Sequence, residues 1–352
     1  MTSQPDLPAQ VAPPAHSAVT LSEVAQRAGV SVATASRVLN GSERSVGADL
    51  RHRVLAAAAE LDYVPNLHAQ AVARGSSSLV GLVVHDIADP YFSSIAAGVT
   101  AAADERGLIV SLGSTLASAE RELDHVALLR AQRARALILA GSRTTNAAQT
   151  RRLAREVQAF RSAGGRVACI SQPLLGTDTV EPENAAGARA LAAALAELGH
   201  RRFAVLAGPE PLLTARDRLA GFTAGVTAAG GEVRRVLTGP FTRDGGYRAV
   251  EQLLASPLDV TCVFAVNDVM AVGAMAALRE HGVSVPHELS VAGFDDIPTL
   301  RDVAPSLTTV RLPLDELGSK AAELALAAEL PPAPRIVTVP GEVVLRESTR
   351  RL

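Results

Sequence analysis

Between Leu21 and Asn40 the chain reads Leu-Ser-Glu-Val-Ala-Gln-Arg-Ala-Gly-Val-Ser-Val-Ala-Thr-Ala-Ser-Arg-Val-Leu-Asn. The chemistry such a segment offers is non-covalent. Val24, Val30, Ala35 and Val38 fall where two short helices pack together, which leaves Val32, Ala33, Ser36 and Arg37 facing outward. Ala25 is small where the helices cross closely. Gly29 can take the positive φ that ends the first helix, and Ser31 suits the N-cap of the second. An outward face of small residues and one arginine fits a DNA major groove, where arginine pairs with guanine or phosphate. The same spacing also suits a plain αα-hairpin inside a larger helical domain. Charge does not separate the two readings, because residues 19–75 hold six arginines and five acidic residues, a balance of +1.

Nothing else in the sequence points to covalent catalysis. No G-x-G-x-x-G fingerprint follows a strand and no P-loop occurs. His85, His200 and His281 are far apart and in no metal-ligand spacing, so they read as solvated or capping residues. Cys169 and Cys262 sit in apolar strand-like runs and read as buried free thiols.

The elements that must position the outward face begin at Val19. Residues 1–18, rich in Pro, Ala and Ser, read as a disordered tail. Helices are expected over 21–28, 31–39 and 48–61, then a linker Gly75-Ser-Ser-Ser78. From Leu79 onward the texture alternates strand and helix, first over 79–170 and again from 185 to 292. Two successive sets of βα units imply two parallel sheets, hence two α/β lobes with a ligand cleft outside the carboxyl ends of their strands. With 352 residues, 48% of them hydrophobic, the chain can bury a large core. Its apolar runs are strand-length, short of the roughly 18 residues of a membrane span. With no signal-like start, a cytoplasmic protein that contacts no membrane is expected.

This sequence resembles the LacI/GalR (lactose-repressor) family of transcription regulators. The likeness is carried by Val19-Thr-Leu-Ser-Glu-Val-Ala through Ser36-Arg-Val-Leu-Asn40, and by Leu61-Asp-Tyr-Val-Pro-Asn66. It continues in Asn184-x-x-Gly187, Leu198-Gly-His-Arg-Arg202, Ala207-Gly-Pro209 and Arg218-Leu-Ala-Gly-Phe222. Asn267-Asp268, Ala271 to Met275, Val291-Ala-Gly-Phe-Asp-Asp296 and Pro305-Ser-Leu-Thr-Thr309 complete it, in the family's order. The resemblance argues against the plain αα-hairpin, against a periplasmic sugar receptor and against an enzyme on a doubly wound sheet.

What it implies is an α/β protein with an all-α helix-turn-helix head and a two-lobed, periplasmic-binding-protein-like core. The head would span 19–65, a hinge helix and linker 66–78, and the core 79–352. The first lobe would comprise 79–175 and 295–330, and the second 176–294 and 331–352. The implied partners are a near-palindromic double-stranded operator, a second copy of the chain and a small effector, with no cofactor and no metal. A dimer is favoured over a tetramer, because no heptad tail follows the last strand.

By resemblance, Val32 and Ala33 discriminate bases, while Thr20, Ser31, Thr34, Ser36, Arg37 and Asn40 contact phosphates or support the helix. Ala69 and Val72 lie in a hinge helix that enters the minor groove. The chain departs from the family by one extra residue between Asn40 and Val54, by Gly47 where a capping Ser is common, and by Val72 where Leu is usual. The implied effector cleft holds Tyr91, Phe92, Thr214, Arg218, Phe241, Asn267, Asp268 and Asp295. Leu212 stands where the purine-repressor branch carries a ligand-reading Arg, which disfavours a purine. A sugar or sugar derivative is favoured, since Arg218 and Asp268 could each bridge vicinal hydroxyls.

Overall fold

The computed structural model describes residues 19–39, 46–64, 77–329 and 332–352. The chain divides into two compact units, 1–75 and 76–352.

In the first unit, α1 (Leu21–Ala28), α2 (Val32–Leu39) and α3 (Ala48–Glu60) enclose a small core. Thr20 and Glu23 form a reciprocal capping box that starts α1 and holds the Glu23 carboxyl below its ordinary range. Gly29 ends the helix at φ 64°, and a Cβ there would lie 2.7 Å from the Arg53 guanidinium. That guanidinium donates to the carbonyls of Ala28 and Gly29, tying α3 to the turn. Val24, Ala25, Ala28, Ala35, Val54 and Ala57 are buried together. Gly47 starts α3 without a side-chain cap, which is the consequence of the missing serine.

The second unit contains the two expected sheets. The first has six parallel strands in the order β11-β5-β4-β3-β1-β2: β1 (Leu79–Val84), β2 (Ile109–Ser114), β3 (Ala136–Ala140), β4 (Arg166–Ile170), β5 (Asp178–Pro182) and β11 (Ile336–Val339). The second has four, in the order β7-β6-β8-β9: β6 (Arg202–Leu206), β7 (Glu232–Leu237), β8 (Cys262–Ala265) and β9 (Ser290–Ala292). A short antiparallel pair joins β10 (Thr309–Arg311) to β12 (Glu342–Val344). Helices α4 (Pro90–Asp104), α5 (Ala119–Ala131), α6 (Ala147–Ser162) and α11 (Leu314–Leu326) flank the first sheet. Around the second lie α7 (Asn184–Glu197), α8 (Leu213–Ala228), α9 (Arg243–Leu254) and α10 (Asp268–Glu280). Central strands buried on both faces explain the continuous apolar runs.

The lobe boundaries differ from expectation. Strands 178–182 and 336–339, placed in the second lobe from sequence, pair in the first sheet. Asp-Thr-Val-Glu-Pro carries two acidic residues among five, and Ile-Val-Thr-Val, though apolar, is only four residues long and mostly not buried, so neither announces a buried strand. The chain therefore passes between lobes three times: near Asn184, between Phe294 and Leu314, and after β12.

Of the three histidines, His281 fits the solvated or capping reading, whereas His200 and His85 depart from it. His200 is fully buried, between the Thr261 hydroxyl (2.9 Å) and the Arg350 carbonyl (3.1 Å), and fastens the C-terminal segment. His85 presses against Phe92 with ring centroids 5.8 Å apart. His281 closes the end of α10, its Nδ1 2.9 Å from the Ala277 carbonyl. Cys169 and Cys262 are free and buried, and burial pushes the Cys169 thiol up to about 12. Among the described residues no helix is long and apolar enough to cross a membrane.

Candidate functional site

On the head, the Ser31 hydroxyl accepts the Thr34 N–H at 3.1 Å and lies 2.9 Å from the Thr34 hydroxyl, so both residues shape the start of α2. Val32 is 47% exposed. Ala33 and Arg37 are exposed beside it, and Ser36 is half-buried. Thr20 is exposed, with its hydroxyl engaged in the α1 cap. The result is an open face of small side chains bearing one cation. Asn40, Ala69 and Val72 lie outside the described residues, as do the 1–18 tail and the hinge.

In the second unit, a cavity of about 320 Å3 opens between the lobes at the carboxyl ends of their strands. Tyr91, Phe92, Thr214, Arg218, Phe241, Asn267 and Asp295 all line it. Tyr91 and Phe92 stand edge to face, centroids 4.9 Å apart, at the start of α4, and Phe241 lies across from them in the loop before α9. Asp89 caps α4 through the Tyr91 N–H at 2.9 Å, and burial raises its carboxyl.

Arg218 organises the floor. It is 3% exposed and projects from α8. Its Nε donates to Asn184 Oδ1 at 2.8 Å, Nη1 to the Val266 carbonyl at 2.7 Å, and Nη2 to Asp295 Oδ1 at 2.7 Å. The guanidinium carbon sits 3.9 Å from the centre of the Phe294 ring. Three of its five N–H donors are thus committed, and its direction is locked. Asn184 and Asp295 both lie where the chain passes between lobes, so a contact to Arg218 bears directly on the crossings. Burial raises the Asp295 carboxyl against the pull of Arg218. Asp295 is also held at φ 121°, a conformation L-residues rarely adopt, by its N–H to the Val310 carbonyl at 2.8 Å. Asn267 lines the cavity and caps α10 through Oδ1, and its amide NH2 has no hydrogen-bond partner among the described residues.

Asp268 is the exception among the expected cleft residues. It is fully buried and does not line the cavity. Its Oδ1 accepts the Thr309 hydroxyl at 2.7 Å and its Oδ2 the Ile297 N–H at 3.0 Å. The carboxylate instead joins α10 to a crossing segment, and burial pushes it up to about 6. Sequence reasoning missed several lining residues: His85, Asp86, Asp89, Ser142, Ser171 and Asn184. Asn184 carried a signal, since it opens a helix within a quoted motif. The others sit in loops after strands with no pattern of their own. Among the described residues no group of His, Cys, Asp or Glu is arranged to hold a metal ion.

A helix-turn-helix unit together with a two-lobed ligand-binding unit defines a ligand-controlled transcription regulator, and comparison with known proteins makes this specific. Residues 20–66 match the model of bacterial regulatory proteins of the lacI family, and 192–349 match a periplasmic binding protein-like domain. The chain is 36% identical over 312 residues to the transcriptional regulator GalS of Salmonella typhimurium, covering 88% of this chain and 89% of that protein. It therefore belongs to the LacI family of DNA-binding transcriptional regulators. Among solved structures, a lac repressor dimer bound to operator and an anti-inducer superposes with a TM-score of 0.80 at 29% identity, covering 95% of this chain and all of that one (100%). A CelR–cellobiose complex superposes at 0.69 with 30% identity, covering 94% and 99%.

Proposed function

We propose that this regulator is a repressor that binds a near-palindromic operator as a homodimer, and that a carbohydrate in the inter-lobe cleft sets its operator affinity. On this reading Val32 and Ala33 read bases, Arg37 and its neighbours contact phosphates, and Ala69 and Val72 act at the minor groove. DNA binding places the protein in the cytoplasm.

The observation that carries the carbohydrate reading is the cavity's pairing of three aromatic rings, Tyr91, Phe92 and Phe241, with polar groups fixed by the protein. Rings offer faces to the C–H side of a sugar. Arg218, Asn267 and Asp295 offer donors and an acceptor to its hydroxyls, in an apolar setting that strengthens each contact. The operator and dimer readings rest on the lac repressor neighbour, and CelR supplies a sugar-bound precedent at comparable identity.

The test is a thermal-shift screen of sugars and nucleosides, followed by operator titration with each hit. A sugar that stabilises the protein and alters operator affinity supports the reading. Stabilisation by nucleosides alone would overturn it.

A further inference from the structure

A second cavity, of about 350 Å3, lies beside the first. The two share His85, Ala117, Ser142 and Leu212 as a common boundary. That boundary is also a seam between lobes, because Leu213 N–H donates to the Arg143 carbonyl and Thr145 N–H to the Pro211 carbonyl, both at 2.9 Å. Thr214 N–H adds a bond to Ser142 Oγ at 3.0 Å.

The chemistry of the second cavity differs from that of the first. Neither Phe nor Tyr lines it. Its charged groups balance, Glu120 and Glu122 against Arg143 and Arg152. Arg143, 5% exposed, is neutralised by a two-pronged ion pair with Glu122 at 2.8 and 3.2 Å. Such a cavity is unsuited to a ring face or to an anion, and suits a neutral, hydroxyl-rich group.

One side chain on the boundary has polar atoms that the protein leaves unmatched. His85, on the shared boundary, has no hydrogen-bond partner for either ring nitrogen among the described residues. Its ring lies against Gly141, where a Cβ would be 2.4 Å from Nε2, so only glycine admits it. Burial and the nearby Arg143 charge push its pKa down to about 4. The ring is neutral at pH 7 and carries one donor and one acceptor, the pair a hydroxyl or ether oxygen can match.

We propose that the effector is a two-unit glycoside, with its first sugar in the aromatic cavity, its linkage beside His85, and its second sugar in the polar cavity. This rests on the carbohydrate reading of the first cavity and deepens it. A ligand of this length would touch the seam that holds the lobes together, which ties its size to lobe closure.

Calorimetry on the full-length protein tests the proposal. The probes are cellobiose, maltose, lactose, melibiose, sucrose and trehalose, each with its component monosaccharides, plus adenosine and cytidine. One disaccharide should bind about tenfold or more tighter than either of its components. Thr150→Trp, filling the second cavity from α6, should remove that advantage and leave the monosaccharide Kd unchanged. If a monosaccharide binds as tightly as its disaccharide, or Thr150→Trp leaves the disaccharide Kd unchanged, the second cavity takes no sugar, though the carbohydrate reading survives. Binding of nucleosides and of no sugar would overturn both.

Discussion

The DNA-reading face and the effector cleft solve recognition in opposite ways. On the head, Val32, Ala33 and Arg37 stand exposed, and the core beneath them is built from neighbours within about forty residues in sequence. In the cleft, the charged pair Arg218 and Asp295 is buried and already committed to protein partners. Arg218 reaches Asn184, Val266 and Asp295, which are 34, 48 and 77 residues away. On the proposed reading, an open face adapts to its partner and would read methyl groups and groove shape. A locked one meets its ordering and desolvation costs during folding, so the ligand does not have to.

The contrast is broken most directly by removing Arg218. Arg218→Ala leaves Asp295 buried without its partner, a loss of about 3–5 kcal/mol in denaturant unfolding. It should also abolish the thermal shift given by any cleft ligand. Arg37→Ala on the head should leave stability within about 0.5 kcal/mol and instead lower the salt slope of operator binding by about one. If Arg218→Ala proved as mild as Arg37→Ala, the cleft would not be preorganised.

Asp268 gives the next largest effect. Its folded-state pKa is raised to about 6 from an ordinary 3.8, so the folded protein holds a proton that the unfolded chain releases. Its contribution is full below pH 4 and is lost as the pH rises through 6, by about 3 kcal/mol. His85 acts in the opposite direction: its neutral form stabilises the fold above pH 6.5 and that stability is lost as the pH falls toward 4. Unfolding curves of Asp268→Asn between pH 4 and 6, set against the parent, should lack the Asp268 loss. An unaltered pH slope would mean that its burial does not set its protonation.

The same contrast explains what was legible in the sequence. The head was readable because local rules produce it: a left-handed Gly29, an N-cap at Ser31 and a periodic apolar face, while the equally local capping box at Thr20 and Glu23 went unread. In the cleft, sequence indicated Arg218 and Asp295 but not that they bind each other. Asp268 was misplaced for a related reason. It is adjacent to Asn267, which does line the cavity, and only Thr309 and Ile297, distant in sequence, reveal that its carboxylate is occupied. Strands 178–182 and 336–339 were assigned to the wrong lobe because their pairing joins segments more than 150 residues apart, which no local pattern reveals. The second cavity had no signal, since its walls come from loops after β1, β2, β3 and β6 and from α5 and α6.

Smaller effects sharpen the head's side of the comparison. If Val72 acts at the minor groove as proposed, its side chain, one methylene shorter than the family's leucine and β-branched, makes the weaker apolar insertion between base steps, so Val72→Leu should tighten operator binding roughly tenfold through two hinges per dimer. A gel-shift titration with a bending assay would show tighter binding and a larger bend, whereas equal affinity and bend would remove that minor-groove role. Exchanging Val32 and Ala33 for polar residues should change the operator recovered in a binding-site selection more than it weakens non-specific binding. An unchanged selected sequence would remove their base-reading role.

The account's central claim is that occupancy of the cleft is coupled to the grip of the head on DNA. It is tested by titrating an operator fragment with the full-length protein, with and without a saturating sugar from the calorimetric panel, for the parent and for Phe241→Ala. For the parent, the sugar should change operator affinity about 5–150-fold, the range of a coupling of 1–3 kcal/mol. Phe241→Ala, lacking one aromatic wall of the cavity, should keep the sugar-free affinity and lose the response at the same sugar concentration. A sugar that demonstrably binds the cleft and leaves operator affinity unchanged would contradict the claim.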